Sequence, residues 1–203
     1  MRESTSPDFI EAIARGFDVI RALGDGPTHP RSLSELAAQT GLARPTTRRI
    51  LFTLQELGYV HAGPAGFELM PRVLELGTAY FSGTEHWEMA MPRLRELVER
   101  TRESSSIAQL DGSDVVYVAR VAVPKLVTLS VAVGTRFPAA QTSLGKVLLA
   151  DLDADALEAV LAQPSRSGVT PSWHPERAEL DDVLAAVREQ GWAMSDQQLA
   201  PAI

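Results

Sequence analysis

Residues 41–59 read GLARPTTRRILFTLQELGY. Three arginines and two threonines crowd the front of this stretch; leucines, a phenylalanine and a tyrosine fill its back. Pro45 suits the first turn of a helix, where its missing N–H is not needed, and Gly58 suits the close of that helix. Ile50, Leu51, Leu54 and Leu57 recur at helical spacing and predict the buried stripe. Arg44, Thr46, Thr47, Arg48 and Arg49 fall in or just before the first turns.

The neighbouring segments decide what that polar tip is for. Upstream, SLSELAAQTG (residues 32–41) predicts a short helix ended by Gly41. Its N-cap is either Ser34 or Ser32, the latter with Glu35 at the capping-box spacing. Further upstream, FIEAIARGFDVIRAL (residues 9–23) brings Phe9, Ile13, Phe17, Ile20 and Leu23 close to one helical face, and GDGPTHP (24–30) is a loop. Downstream, YVHAGPAGFEL (59–69) is a hairpin signal around Gly63-Pro64-Ala65-Gly66. Three helices and a hairpin in this order form a winged helix-turn-helix. In that unit the second helix of the motif enters the major groove and its N-terminal residues meet base edges. Arginine can bond a guanine bidentately or grip a phosphate; threonine can contact a phosphate or the thymine methyl. Runs of surface arginine are commonly no more than solvated faces, and Arg49 has the alternative of pairing with an internal acid. The order of elements favours DNA.

Charge must be local for this to work. The chain has 203 residues and a formal net charge of −7, which excludes a whole-protein electrostatic grip on nucleic acid but not a small basic patch. Residues 1–85 carry eight Lys and Arg against ten Asp and Glu, net −2, so contact is limited by geometry rather than broad wrapping. At 45% hydrophobic and 22% charged residues, the chain has the composition of a globular protein with a real core. It has no cysteine, which excludes disulfides and thiolate metal sites and fits a cytoplasmic location. The first 20 residues lack a signal-peptide pattern, and no apolar run is long enough for a membrane span.

Beyond the hairpin, PRVLELGTAYFSG (71–83) reads as a linker helix and WEMAMPRLRELVERT (87–101) as an amphipathic helix with Met91, Leu94 and Val98 in register. The period then changes to two. SSIAQLDGSDVVYVARV (105–121) predicts a hairpin turning at Asp111-Gly112-Ser113, and LVTLSVAVG (126–134) a third strand. TSLGKVLLA, DADALEAVLA and ERAELDDVLAAVREQG read as helices, and WAMS (192–195) as a last strand. The fold class is therefore α+β.

IARGFDVIRAL, LSELAAQTGLARPTTRRILFTLQELGYV and PRVLELGTAYFSG resemble the DNA-binding domain of the IclR family of bacterial regulators. VVYVARV, LSVAVGTRFPAAQTSLGKVLLA and VREQGWAMSDQQL resemble its effector domain. WEMAMPRL and VGTRFPA are similar to the PcaR/PcaU/PobR branch, which regulates the β-ketoadipate pathway of aromatic-acid breakdown. The resemblance implies a winged helix-turn-helix domain over residues 1–70, a linker helix over 71–84 and a GAF-like α+β effector domain over 85–203. It implies a double-stranded DNA operator, a small carboxylate effector of aromatic-acid type, a homodimer or dimer of dimers, and neither cofactor nor membrane. It places Arg44, Pro45, Thr46, Thr47, Arg48 and Arg49 at the DNA, with Pro45 where the family often has serine, and His61 on the wing. It places Leu126, Leu129, Phe137, Ser143, Leu144 and Ser195 at the effector. Ser143 and Leu144 would present N–H groups at a helix N-terminus, which suits a carboxylate. Family members continue past the motif that ends here at Ile203, with at least two more strands, so the effector domain is expected to be a truncated one.

Other chemistry is weakly signalled. TSLGKV fails the phosphate-loop pattern at Ala140 and Val147. His29, His61, His86 and His174 are dispersed, without metal-ligand spacing. Neither a catalytic serine elbow nor a catalytic triad context appears, so no catalytic residue and no metal is expected. The alternative to a regulator is a GAF-like small-molecule sensor or enzyme whose N-terminal helices serve only dimerisation.

Overall fold

The computed structural model describes residues 6–25, 30–82, 86–124 and 131–199. The chain divides into two compact units, Met1–Thr84 and Glu85–Ile203.

In the first unit, α1 (Glu11–Gly24), α2 (Leu33–Thr40) and α3 (Arg44–Glu56) surround a core of Val19, Leu23, Leu36, Leu51, Leu54 and Val60. Ser32 is the N-cap of α2, in a reciprocal capping box with Glu35. The Ser32 backbone N–H, and after it the Ser32 hydroxyl, hold the Glu35 carboxyl below its usual range. Gly41 ends α2 at φ 68°, the left-handed conformation that suits glycine. The hairpin β1 (Val60–Gly63) and β2 (Gly66–Leu69) follows, in antiparallel register from Val60 opposite Leu69 to Gly63 opposite Gly66. Arg31 joins this sheet through a reciprocal pair of 2.8 Å bonds with Phe67. A β-carbon on Gly66 would lie 2.5 Å from the Arg31 carbonyl oxygen, so the wing docks only with glycine there. A short 3-10 turn (Pro71–Val73) leads into α4 (Leu74–Ser82).

Two details differ from the sequence reading. Only the C-terminal half of the α1 apolar face is packed: Leu23 is buried, whereas Phe9, Ile13 and Phe17 are 39%, 56% and 44% exposed. Leu57 is 51% exposed because α3 stops at Glu56 and Leu57 is its cap. The stripe starts one turn earlier instead, at Thr47, which is fully buried.

The second unit opens with α5 (His86–Thr101), whose Leu94 is buried. β3 (Ser105–Asp111) and β4 (Asp114–Val121) form the predicted hairpin, with Gly112 at φ 64° and a bulge between Ile107 and Ala108. β5 (Arg136–Pro138) pairs with β4, giving the antiparallel order β3-β4-β5. The third strand expected at 126–134 lies partly outside the described residues, and its described end, 131–134, is a turn. Gly134 takes φ 90° there, and the ladder resumes only after it. α6 (Ser143–Ala150), α7 (Ala154–Leu161) and α8 (Arg177–Gln190) bring Leu149, Leu157, Leu180 and Leu184 onto Val115 and Phe137. WAMS keeps a strand-like alternation, with Trp192 and Met194 exposed, but it has no ladder partner among the described residues and is not a strand.

Candidate nucleic-acid interface and effector groove

α3 begins after Ala43, an N-cap with no side-chain bond, and its first turn contains no acid. The N–H groups at this end thus have no side-chain cap from Ala43, and no acid in the helix's own first turn opposes its dipole. Arg44, Pro45, Arg48 and Arg49 are exposed around this end, and Thr46 is partly exposed. Arg48 and Arg49 make no ion pair among the described residues, so the internal pairing open to Arg49 is not used. Thr47 does not belong with them. It is fully buried, and its hydroxyl donates to the Ala43 carbonyl at 3.2 Å. A hydroxyl read as polar on the sequence is satisfied one turn back along its own helix, which lets the methyl face the core. His61 is exposed on β1, opposite Glu68.

In the second unit, a groove of about 360 Å³ runs between the start of α6 and residues 191–193. Ser143, Leu144, Val147 and Leu148 line one wall, Ile107 and Ala108 of β3 the floor, and Trp192 and Ala193 the other wall. Thr142, not Ser143, caps α6, accepting from the Gly145 N–H at 3.0 Å. The Ser143 hydroxyl is therefore left for the groove. The size suits a small molecule, and the lining is mostly apolar. A second hollow, about 470 Å³, lies between α1 and α3, where Arg15, Thr46, Arg49 and Thr53 border it beside the apolar Ala12, Gly16, Ile50 and Leu54.

The other effector candidates sit elsewhere. Phe137 is 9% exposed and packs edge-on against Tyr117 at 5.8 Å, as ordinary core. That burial raises the Tyr117 pKa, which the nearby Arg120 only partly offsets. The Ser195 hydroxyl accepts from Lys146 Nζ at 3.2 Å. Leu126 and Leu129 lie outside the described residues. Arg136, the basic residue nearest in sequence, is committed to Asp111 and Asp114 at 2.6 and 3.3 Å. Trp192 was missed by the sequence reading. Its only signal is an aromatic residue left unburied after a helix-ending glycine.

A three-helix unit with a wing and an arginine-tipped recognition helix, joined in one chain to an α+β unit with a groove, defines a helix-turn-helix protein with a sensor-type second unit. Residues 12–64 match the IclR helix-turn-helix domain, and residues 78–203 match the bacterial transcriptional regulator IclR C-terminal domain. The chain belongs to the IclR family. It is 35% identical to the Pca regulon regulatory protein of Pseudomonas putida over 95% of this chain and 66% of that one. It is 30% identical to the Pca operon regulatory protein of Acinetobacter baylyi, with 94% and 70% covered. The p-hydroxybenzoate hydroxylase transcriptional activator of the same organism is 31% identical, with 97% and 74% covered. The chain thus spans about two thirds to three quarters of the length of these relatives. A transcriptional regulator structure from Rhodococcus sp. RHA1 is 44% identical, at a TM-score of 0.76 over 95% of this chain and 77% of that one. An IclR homologue of Microbacterium hydrocarbonoxydans, solved with 4-hydroxybenzoate, shares the fold at 23% identity and a TM-score of 0.76, with 95% and 79% covered. These relatives are named regulators, not enzymes.

Proposed function

We propose that this chain is a ligand-responsive, sequence-specific DNA-binding regulator of aromatic-acid catabolism. The observation that carries the DNA-binding half is the uncapped N-terminal end of α3 with exposed Arg48 and Arg49, which make no ion pair among the described residues. Residues 1–70 act on DNA, 71–84 link, and 85–203 take the effector. The aromatic-acid class is supported by the names of the relatives that match nearly the whole chain. The groove at Ser143 and Leu144 would hold a carboxylate by N–H groups and the helix dipole rather than by a cation.

Gel shifts against the chain's own upstream DNA, run as a salt series, test the first half. Arg48→Ala and Arg49→Ala should each weaken binding by about 1–3 kcal/mol where the side chain reads a base. A side chain that grips phosphate should instead lower the salt slope by about one. Thr47→Val, a change inside the core, should leave both affinity and slope near wild type. Equal losses from all three variants would contradict this interface.

A homodimer is part of the same proposal. Ile10 at the N-cap of α1, Ile13 and Phe17 along it, and Leu74 and Leu76 along α4 lie exposed, as apolar surface of the kind that marks an association site. Ile13→Glu combined with Phe17→Glu should shift the full chain towards monomer in sedimentation. An unchanged sedimentation coefficient at micromolar concentration would rule out α1 as the contact.

A further inference from the structure

Lys146 is 2% exposed, yet no acid among the described residues pairs with it. Burial depresses its pKa, and no neighbouring carboxylate offsets that. Its ammonium directs its donors to the Met194 carbonyl at 2.9 Å, the Ser195 hydroxyl at 3.2 Å and the Gln198 side-chain oxygen. It also lies 5.1 Å from the Trp173 ring centroid, a cation–π distance. An aliphatic side chain of that length would fill the same core space without taking a charge out of water. A lysine held there by neutral acceptors alone is explained by what it fastens.

What it fastens borders the groove. Lys146 follows Ser143 and Leu144, on one wall, by a single helical turn. Met194 directly follows Trp192 and Ala193, on the other. The segment is held at its near end as well. Arg188 Nε donates to the Ala150 carbonyl at 2.6 Å, and Gln190 Nε2 to the Trp192 carbonyl at 2.7 Å. Downstream, the Gln198 carbonyl accepts from the Ser172 and Trp173 N–H groups at 3.0 and 3.1 Å. Residues 192–198 thus have no sheet partner among the described residues, and the Lys146 ammonium ties them to α6.

We propose that Lys146 is a positioning residue for effector binding. It holds residues 194–198 against α6 and so sets the gap between Ser143–Leu144 and Trp192–Ala193. This rests on reading that groove as the effector site. The effector never touches the ammonium, whose donors are already taken.

The test uses the full chain with Lys146→Met, which keeps the apolar stem but removes every donor. Hydrogen exchange of the ligand-free protein, followed by mass spectrometry, should show residues 192–199 exchanging about tenfold faster or more, with α6 and α8 near wild type. Calorimetry with 4-hydroxybenzoate and protocatechuate should show Kd weakened by about tenfold or more. Gln198→Leu, which removes one acceptor without touching α6, should shift both readouts the same way by less. Gln198→Glu, which keeps an acceptor, should hold both near wild type. If Lys146→Met does not fold, the Gln198 pair carries the test. Unchanged exchange in Lys146→Met and Gln198→Leu overturns the proposal. Faster exchange with unchanged affinity also overturns it, because the tether would then not set the groove. A wild-type chain that binds no aromatic acid sinks the effector reading and the positioning role with it, even where exchange shows the tether itself to be real.

Discussion

Gly145→Ala is expected to cost the second unit about 3 kcal/mol or more, at or beyond the upper end of overpacking changes. Alanine is the better helix former by about 1 kcal/mol, so propensity alone predicts the opposite sign. Packing decides. A β-carbon at Gly145 would lie 2.1 Å from the Ala139 carbonyl oxygen and 2.4 Å from the Ala139 α-carbon. Both are backbone atoms in the 3-10 turn Ala139–Gln141, so no side chain can rotate away. α6 would have to back off, lifting Leu149, which is fully buried, out of the core. Thermal denaturation should show the transition of this unit lowered by about 10 °C or more. The transition of the first unit should stay in place. A melting point that is unchanged or higher would show that the approach of α6 to the turn is not as close as drawn.

Asp114→Ala should also be severe, at about 3 kcal/mol, the lower end for removing one partner of a buried ion pair. The Asp114 side chain is 1% exposed. It accepts from Arg136 Nε at 3.3 Å, the Ser165 hydroxyl at 2.6 Å and the Arg166 N–H at 2.7 Å. One carboxylate thus joins the end of the β3–β4 hairpin to β5 and to the loop after α7. Its loss leaves the Arg166 N–H without that acceptor. Arg136 keeps Asp111, which is why the cost sits at the lower end. Urea unfolding is the measurement. Asp114→Asn should recover part of the loss, since an amide oxygen still accepts. A loss for alanine below about 1 kcal/mol would mean that water replaces the network without penalty.

The elements with strong punctuation were legible. Gly41 and Gly112 each have one cheap conformation, and the structure uses it; the α2 cap, open between Ser34 and Ser32 in the sequence, falls to Ser32. The α+β class, the three-helix order with its hairpin and the helical register of α3 followed from periodicity and those stops. Other features did not follow. Thr47 was misread because a hydroxyl bonded to its own helix behaves as an apolar group, and composition does not show where a hydroxyl donates. The WAMS alternation predicts a strand, but alternation shows only which faces differ; a strand needs a neighbour to pair with. Phe137 and Ser195 were drawn to the groove by motif position, whereas packing sends one ring to Tyr117 and one hydroxyl to Lys146. Groove residues such as Trp192 and Val147 come from two separate segments, and single-sequence patterns do not report which distant segments meet.

The sparse placement of positive charge also bears on how long the protein would linger at the wrong place. Chromosomal DNA offers a vast excess of off-target phosphates, and a protein that clings to all of them is titrated away from its operator. Here the chain carries net −7, and the recognition helix contributes Arg44, Arg48 and Arg49 at one tip. Off-target residence should accordingly be brief, and each encounter ends unless several base contacts form together. A small number of copies per cell would then suffice to keep one site occupied.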